Sequence, residues 1–380
     1  MVLNGIDSIT NYRYLFEGKR VGLITAPTGL TKDFASTITI LHENFNLAAM
    51  FSPEHGVRGD LDAGALVDTY MDPFTKVPVY SLYRKDSKRL TKEMLNEVDI
   101  IVYDIQDVGV RYYTFIYTML YALEDCANAG VEFVVLDRVN PLNGVTVEGN
   151  VLKPGFKSFV GNYELAVRYG LTAGEVATMA NDQMNWNASL HVVRLEGWER
   201  SMSFPDTGLT WVHPSLGIPR YETALLYTGT CLFEGTNCSE GRGTTFPFEM
   251  IGAPFIQAQQ LADEMNAKGI PGVLFRPVHF KPTSSKHCGE LCGGVQIYIT
   301  DLQVLRPLEV GVTLLFTIRD LYERFSFLPP VKEGSRPFID LLGGDNMYRT
   351  ENMQAKQLLE QFAAESKQFA EITQQYHLYR

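Results

Sequence analysis

The first half of the chain alternates short apolar, β-branched runs with longer stretches in which apolar residues recur at helical spacing. Short apolar runs bounded by polar or turn-forming residues are typical of strands buried on both faces. The predicted strands cover residues 21–25, 47–51, 79–82, 100–103, 133–136 and 192–195. The predicted helices cover residues 35–43, 91–96, 115–129 and 173–185. This alternation predicts parallel pairing through right-handed crossovers, in a Rossmann-like α/β sheet covered on both faces.

The residues around the fourth predicted helix also mark where it begins. Thr172 precedes the periodic stretch, and Glu175 follows three residues later. This spacing is that of a capping box, in which each side chain bonds to the other residue's backbone N–H. We therefore expect the helix to begin directly after Thr172.

After Pro205 the pattern changes to long helical stretches with few strands. The helices predicted there cover 221–233, 256–268, 308–325 and 351–376, and the strands cover 273–280 and 294–299. Because 380 residues exceed what one hydrophobic core usually supports, we predict two domains. A Rossmann-like domain over 1–204 carries most site-forming loops, and a smaller α+β domain over 205–380 completes the cleft. The stretch 204–219, which contains prolines and glycines, connects them.

Charge and apolar content restrict the partners. The formal net charge of -11 and the absence of a Lys/Arg cluster argue against nucleic acid. No apolar stretch approaches the roughly 20 residues that span a bilayer, so we expect no membrane span. The first residues lack the pattern of a secretory leader. We expect a periplasmic or secreted protein if a leader has been removed, and a cytoplasmic one otherwise. The sequence specifies no oligomeric state.

The chain has five cysteines, and this odd number excludes a framework in which every cysteine forms a disulfide. We expect mostly free, structural thiols. A bridge between Cys288 and Cys292, or a metal site, is the alternative.

Polar residues follow the predicted strands at the positions where open α/β sheets bind ligands. The strand-end segments are APTG at 26–29, SPEHGVRG at 52–59, DIQDVGVRYY at 104–113 and DRVNP at 137–141. Neither G-x-G-x-x-G after the first strand nor a phosphate-binding G-x-x-x-x-G-K-[ST] is present. A dinucleotide or nucleoside-triphosphate site is therefore not supported.

Glu54 and His55 lie in a loop tightened by Pro53 and by glycines, where a packing role is hard to assign. We interpret both as functional, with a simple turn as the alternative for His55. Arg58 and Arg111 are placed to hold an anion, unless they are solvated surface charges.

Asp104 and Asp107 follow the fourth strand. They are either site carboxylates or residues that end the strand and cap a helix beginning near Tyr113.

A second dense segment, FEGTNCSEGRGTT at 233–245, follows a predicted helix. It interleaves glycines with Glu234, Asn237, Glu240 and Arg242. We interpret it as a loop that wraps a polar ligand, with a flexible surface loop as the alternative.

These segments together resemble a bacterial family once called DUF1343 and now known from the exo-β-N-acetylmuramidases called NamZ. The resemblance runs in order along nearly the whole chain. Its motifs are FSPEHGVRG (51–59), DAG (62–64), VPVYSLY (77–83), VDIIVYDIQDVGVRYYTFI (98–116), FVVLDRVNPLNG (133–144), VEGNVL (147–152), FEGTNCSEGRGTTFPFEMIGAP (233–254) and HCGELCGG (287–294).

The resemblance implies a Rossmann-like domain, a smaller carboxy-terminal domain and an active site in the cleft between them. It implies release of N-acetylmuramic acid from non-reducing ends of peptidoglycan-derived glycans. It implies neither a metal nor an organic cofactor.

Glycoside hydrolysis needs a protonated carboxyl group and usually a second carboxylate. We assign Glu54 as the acid, with His55 tuning it or binding a hydroxyl. The second carboxylate is Asp104, Asp107, Glu234 or Glu240. The substrate's 2-acetamido group is an alternative nucleophile that needs only an orienting carboxylate.

Muramic acid differs from glucosamine by its lactyl carboxylate, which arginine recognises through paired hydrogen bonds. The candidates are Arg58, Arg111 and Arg242. Tyr112 and Tyr113 are candidates for stacking on the pyranose ring, unless they belong to the core.

Two other classes stay open. A metal-dependent hydrolase would use Glu54, His55, Asp104 and Asp107 as ligands, although no H-E-x-x-H motif is present. A non-catalytic muropeptide receptor would use the same cleft for binding only.

Overall fold

Strands of mixed length build the first domain in the computed structural model, which describes residues 1–53, 56–59, 69–84 and 87–380. They are β1 (Arg20–Thr25), β2 (Asn46–Ser52), β3 (Tyr70–Met71), β4 (Pro78–Ser81), β5 (Ile100–Asp104), β6 (Glu132–Leu136), β7 (Glu148–Val151), β8 (Ala166–Arg168) and β9 (Leu190–Val193). Seven of them form one sheet in the order β3-β4-β2-β1-β5-β6-β9, and β7 pairs with β8 in a small separate sheet.

All pairs within the large sheet are parallel except β3 with β4. The strand order reverses beside β1, because β2 and β4 lie on one side of it and β5, β6 and β9 on the other. The carboxyl ends of β1 and β5 therefore form the topological switch point, where open α/β sheets bind ligands. The prediction of a Rossmann-like sheet is confirmed.

Four helices of this domain occur close to their predicted positions. They are α1 (Thr37–Asn44), α2 (Lys92–Asn96), α3 (Phe115–Ala129) and α4 (Ala173–Gln183). The predicted capping box is present: Thr172 Oγ1 accepts from Glu175 N at 3.2 Å, and Glu175 Oε2 accepts from Thr172 N at 3.0 Å.

The second domain combines helices with a three-stranded antiparallel sheet. Its elements are α5 (Tyr221–Thr230), β10 (Met250–Ala253), α6 (Ala258–Ala267), β11 (Val273–Phe280), β12 (Cys292–Ile299), α7 (Pro307–Leu321), α8 (Phe338–Gly343) and α9 (Ala355–Thr373). Helix α5 continues as a 3-10 helix over Cys231–Gly235. The smaller α+β domain is confirmed, whereas the boundary at 204/205 stays a prediction.

Helices α5 and α7 pack closely through two glycines. A Cβ atom on Gly229 would lie 2.1 Å from the Pro307 carbonyl oxygen, and one on Gly311 would lie 2.2 Å from Gly229. Neither position therefore accommodates a side chain without separating the helices.

The carboxy-terminal segment crosses back onto the first domain. The Tyr379 hydroxyl donates to Asp137 Oδ2 at 2.6 Å, directly after β6, and its ring packs edge-on against Trp198. Leu378 N donates to Glu175 Oε1 at 2.8 Å, and Arg200 N donates to the Arg380 carbonyl at 2.7 Å. The hydrophobic core also runs without interruption between the domains.

Two further expectations concern the cysteines and membrane-spanning helices. The five cysteines are all free thiols, and only Cys288 is exposed. Within the described part of the chain, no helix has the length and apolar character needed to cross a bilayer.

Candidate functional site

Asp104 occupies the switch point, at the end of β5. Its Oδ1 accepts from Arg138 Nε at 2.6 Å and its Oδ2 accepts from Arg138 Nη2 at 3.0 Å. Oδ2 also accepts from the Thr37 hydroxyl, and the carboxylate is fully buried. Both oxygens are thus engaged by a guanidinium group. This geometry favours a structural role, and the catalytic role predicted for Asp104 gains no support from it.

Asp107 shapes the turn that follows. Its Oδ2 accepts from Gly109 N at 2.7 Å and from the Tyr169 hydroxyl. Gly109 has a left-handed φ of 75°, and a Cβ atom there would lie 2.4 Å from Asn140 Oδ1. Burial raises the pKa of Asp107 to about 6, although the hydrogen bonds from Tyr169 and Gly109 act to lower it. The carboxyl group is buried, which does not favour the substrate contact predicted for it.

Asp104 is the last residue of β5, as the structural alternative predicted, but the capping of the next helix by these aspartates is wrong. Helix α3 begins at Phe115, and its N-cap residue is Thr114. Asp107 instead bonds to Gly109, and Asp104 to Arg138 and Thr37.

Arg111 is fully buried and holds parts of both domains together. Its Nη1 donates to the carbonyls of Asn150 at 2.6 Å and Leu165 at 3.0 Å. Its Nη2 donates to the carbonyls of Leu342 at 3.2 Å and Gly343 at 2.8 Å. Burial lowers the pKa of this guanidinium. Anion binding by Arg111 stays a prediction that these contacts do not favour.

Tyr112 and Tyr113 form the aromatic part of the domain interface. The Tyr112 hydroxyl donates to the Thr228 carbonyl, and its ring packs edge-on against Tyr227 with centroids 5.4 Å apart. The Tyr113 ring packs edge-on against Tyr227 at 6.2 Å. Both tyrosines are buried. Their positions match the core alternative rather than a sugar-stacking surface.

From Tyr227 the aromatic contacts continue to the second-domain loop. The Phe248 ring packs edge-on against Tyr227 at 4.7 Å, and Arg242 Cζ lies 4.8 Å from the centre of the Phe248 ring. The residues that follow β5 are therefore connected through packed rings to the loop at 233–245.

Glu234, Glu240 and Arg242 meet within that loop. Arg242 Nε and Nη2 each lie 2.8 Å from Glu234 Oε1, and Nε lies 3.6 Å from Glu240 Oε1. The Arg242 side chain is 40% exposed and that of Glu234 21%, whereas Glu240 is 2% exposed. An ion pair between Glu234 and Arg242 thus reaches solvent, with Glu240 buried behind it.

Asn237 anchors the same loop. Its Nδ2 donates to the Arg324 carbonyl at 2.8 Å, and its Oδ1 accepts from Ser326 N at 3.0 Å. Both ends of the amide are therefore bonded to backbone, which is a structural arrangement. Substrate binding by Asn237 stays a prediction.

Arg58 is held at the base of the loop that follows β2. Its Nε lies 2.7 Å from Asp72 Oδ2, and its Nη2 lies 3.1 Å from Asp72 Oδ1. Burial alone raises the pKa of Asp72, but hydrogen bonds from Arg58 and Thr75 outweigh it and hold that pKa well below its usual range. Glu54 and His55, the predicted acid and its neighbour, lie outside the described residues.

Several residues with defined roles were not assigned from the sequence. Arg138 forms an ion pair with Asp104, and the Tyr169 hydroxyl donates to Asp107. Asp72 forms an ion pair with Arg58, and Lys286 forms one with Glu240. Arg138 had a signal, because it is the second residue after a predicted strand. The others are distant in sequence from the residues they contact.

This site presents a partly exposed carboxylate and an arginine on a glycine-rich loop, which packed aromatic rings connect to the residues that follow β5. Such a polar surface on a two-domain α/β fold suits a hydroxylated ligand. The family model for the N-terminal domain of the exo-β-N-acetylmuramidase NamZ matches residues 21–222, and the model for its C-terminal domain matches residues 225–379. The chain belongs to the NamZ family and is a glycoside hydrolase.

Similar proteins cover its whole length. The peptidoglycan β-N-acetylmuramidase NamZ of Bacillus subtilis (strain 168) is 45% identical to this chain. The alignment has 385 positions and covers 100% of this chain and 91% of that protein. A DUF1343 family protein, BF0371 of Bacteroides fragilis NCTC 9343, has a TM-score of 0.90 at 37% identity, with 100% of this chain and 99% of that chain covered. A second one, BF0379, has a TM-score of 0.79 at 28% identity with the same coverage.

Proposed function

We propose that this protein is an exo-acting hydrolase that releases N-acetylmuramic acid from the non-reducing ends of peptidoglycan-derived glycans. The observation that carries this proposal is the 45% identity to a peptidoglycan β-N-acetylmuramidase over the full chain. Matches of both halves to NamZ models support it further. We propose a periplasmic or secreted location, which agrees with a peptidoglycan-derived substrate, with a cytoplasmic location as the alternative.

Glu54 is the general acid of this proposal. It follows Ser52, the last residue of β2, which pairs with the switch-point strand β1. The bidentate bond between Arg58 and Asp72 fixes the chain a few residues further on. The described residues before and after Glu54 are thus fixed by the sheet and by Asp72, which supports this segment as the source of the proton for the leaving oxygen.

Glu234 is the second carboxylate that the geometry supports best. Asp104, Asp107 and Glu240 are buried, whereas Glu234 is partly exposed beside Arg242. It serves either as base or as the group that orients the 2-acetamido substituent.

Arg242 is the best-supported receptor for the lactyl carboxylate. Arg58 is bonded to Asp72, and Arg111 is buried among carbonyl groups. Arg242 uses Nε and Nη2 toward Glu234, and none of the described residues accepts a hydrogen bond from its Nη1. Its exposed edge is therefore available to an anionic substituent.

The decisive experiment compares two chromogenic glycosides, one of N-acetylmuramic acid and one of N-acetylglucosamine. We expect cleavage of the first, and a loss of turnover with retained ligand affinity in Glu54→Gln. Failure to cleave either sugar, or an undiminished rate in Glu54→Gln, would overturn the assignment. Binding of N-acetylmuramic acid without any turnover would indicate the receptor function instead.

A metal-dependent mechanism is disfavoured by the geometry of Asp104. Its two oxygens face the Arg138 guanidinium, which repels a cation. No cluster of three or more ligating side chains that could hold a metal occurs among the described residues. Activity that persists in a chelator would agree with this interpretation.

A further inference from the structure

The hairpin over 281–291, between β11 and β12, has an unusual backbone. Ser285 and His287 have left-handed φ angles of 64° and 56° on either side of Lys286. Such conformations are unfavourable for residues with a side chain, so they persist only where surrounding contacts stabilise them. The contacts of Lys286 supply that stabilisation.

Three oxygen atoms surround the Lys286 ammonium group. Nζ donates to the Phe233 carbonyl at 2.6 Å and to the Thr236 carbonyl at 3.0 Å. It also lies 2.8 Å from Glu240 Oε2, as an ion pair. An ammonium group has three N–H donors and a compact charge, which suits three converging oxygens.

These contacts lie in the loop that carries Glu234 and Arg242. Phe233 lies in the 3-10 helix over Cys231–Gly235, and Thr236 directly follows this helix. The Phe233 carbonyl also accepts from Thr236 N at 3.0 Å and from the Thr236 hydroxyl at 2.9 Å. Glu240 is buried, and a buried carboxylate needs a nearby cation. Lys286 supplies this cation and also bonds the Phe233 and Thr236 carbonyls with the same group.

The rest of the hairpin holds the loop at two more places. Thr283 N and its hydroxyl both donate to the Gly243 carbonyl at 2.9 Å. His287 Nε2 lies 2.7 Å from the Asn237 carbonyl. A Cβ atom on Gly243 would lie 2.5 Å from Ser284 N, so the two segments are in direct backbone contact.

We infer that Lys286 is a positioning residue for the proposed hydrolysis: it fixes the loop over 233–245 and thereby the orientation of Glu234 and Arg242. This inference rests on the proposed function. Its physical basis is that a catalytic carboxylate displaced by about 1 Å can lose roughly 100-fold in rate. Lys286 itself does not touch the reacting atoms.

The test compares Lys286→Met with Lys281→Met, an exposed lysine of the same hairpin. We expect kcat/KM for the muramic acid glycoside to fall roughly 10- to 100-fold in Lys286→Met and to stay unchanged in Lys281→Met. Lys286→Arg, which keeps the charge but not the compact geometry, should be intermediate. If Lys286→Met does not fold, Lys286→Arg carries the test.

A double-mutant cycle and hydrogen exchange separate positioning from general stability. Glu240→Gln combined with Lys286→Met should lower kcat/KM less than the product of the single effects, because the two residues act through one contact. Amide exchange over 233–245 should accelerate in Lys286→Met but not in Lys281→Met. Unchanged exchange there, or an unchanged kcat/KM, would overturn the role of Lys286. If the wild-type protein cleaves neither glycoside, the proposed function fails, while the exchange measurement still decides whether Lys286 holds the loop.

Discussion

Two aspartates at opposite ends of β5 form ion pairs with arginine in different surroundings. Asp104 and Arg138 are almost fully buried, whereas Asp99, just before the strand, and Arg20 lie at the surface. Removing one member of a buried pair leaves an uncompensated charge, at a cost of about 3–5 kcal/mol.

We predict that Asp104→Asn lowers the free energy of unfolding by this amount, measured by urea denaturation. Asp99→Asn is the matched control and should have a much smaller effect, because water screens an exposed pair. Equal losses in the two variants would contradict the structural role given to Asp104.

Glu234 offers a test of the second carboxylate. We predict that Glu234→Gln lowers kcat for the muramic acid glycoside by roughly 100-fold or more, as expected for a group in acid–base chemistry. The fold should be retained, because Glu234 is partly exposed. Glu222→Gln, on the exposed start of α5, should keep the wild-type rate. A wild-type rate in Glu234→Gln would mean that Glu234 is not the second carboxylate of the reaction.

Asp107 and Asp137 are buried carboxyl groups, and burial raises the pKa of each to about 6. The folded protein therefore holds these protons more tightly than the unfolded chain does. Their contribution to stability is present at pH 4 and is lost as the pH rises through 6.

Only the wild type loses this contribution as the pH rises. We therefore predict that the melting temperature of Asp107→Asn minus that of the wild type becomes more positive between pH 4 and pH 7. Asp137→Asn should show the same direction. Scanning calorimetry across this range checks both variants, and a constant difference would contradict the pKa direction.

At the residue scale, the sequence predicted which segments follow the strand ends, but it did not predict the environment of each side chain. Arg111 follows a strand and a glycine, as an anion-binding arginine does. Its acceptors at Leu342 and Gly343 are more than 200 residues away, and no local pattern signals them. Glu234 and Arg242 could be predicted as a group, because both charges are concentrated in one glycine-rich segment.

Helices α5 and α7 provide a prediction at the scale of elements. Alanine at a helical glycine normally stabilises a helix by about 1 kcal/mol. Here a Cβ atom on Gly311 would lie 2.2 Å from Gly229. We predict that Gly311→Ala instead lowers the free energy of unfolding by about 1–3 kcal/mol, measured with urea.

Gly155→Ala is the control for this substitution, because its Cβ would meet only Arg336 Nη2 at 3.7 Å. It should be tolerated with little change. A stabilised Gly311→Ala variant would mean that the two helices can separate without cost.

Elements with strong local signals were predicted well. Helix α3 spans the predicted residues 115–129, and α4 begins at its capping box. The short strands β7 and β8 and the helix α8 were not predicted, since each has too few residues for periodicity to show. Their positions depend on contacts between distant segments, such as Arg111 with α8.

At the scale of the whole molecule, the carboxy-terminal segment adds to the contacts that join distant parts of the chain. We predict that deleting residues 378–380 lowers the free energy of unfolding by about 3 kcal/mol or more, because bonds to the buried Asp137 and Glu175 are lost. Tyr379→Phe keeps the ring contact with Trp198 and loses only the hydroxyl bonds, so its loss should be smaller. Calorimetry of both variants checks the order, and an unchanged deletion variant would contradict it.

The contact between Tyr379 and Asp137 also has a consequence during synthesis. The two residues are 242 positions apart in the chain, so the ribosome makes the β-sheet long before it makes the segment that completes it. While the second half is being translated, Asp137 faces its neighbours without the tyrosine hydroxyl. The first domain to be synthesised is therefore completed last, after the second half of the chain has been translated.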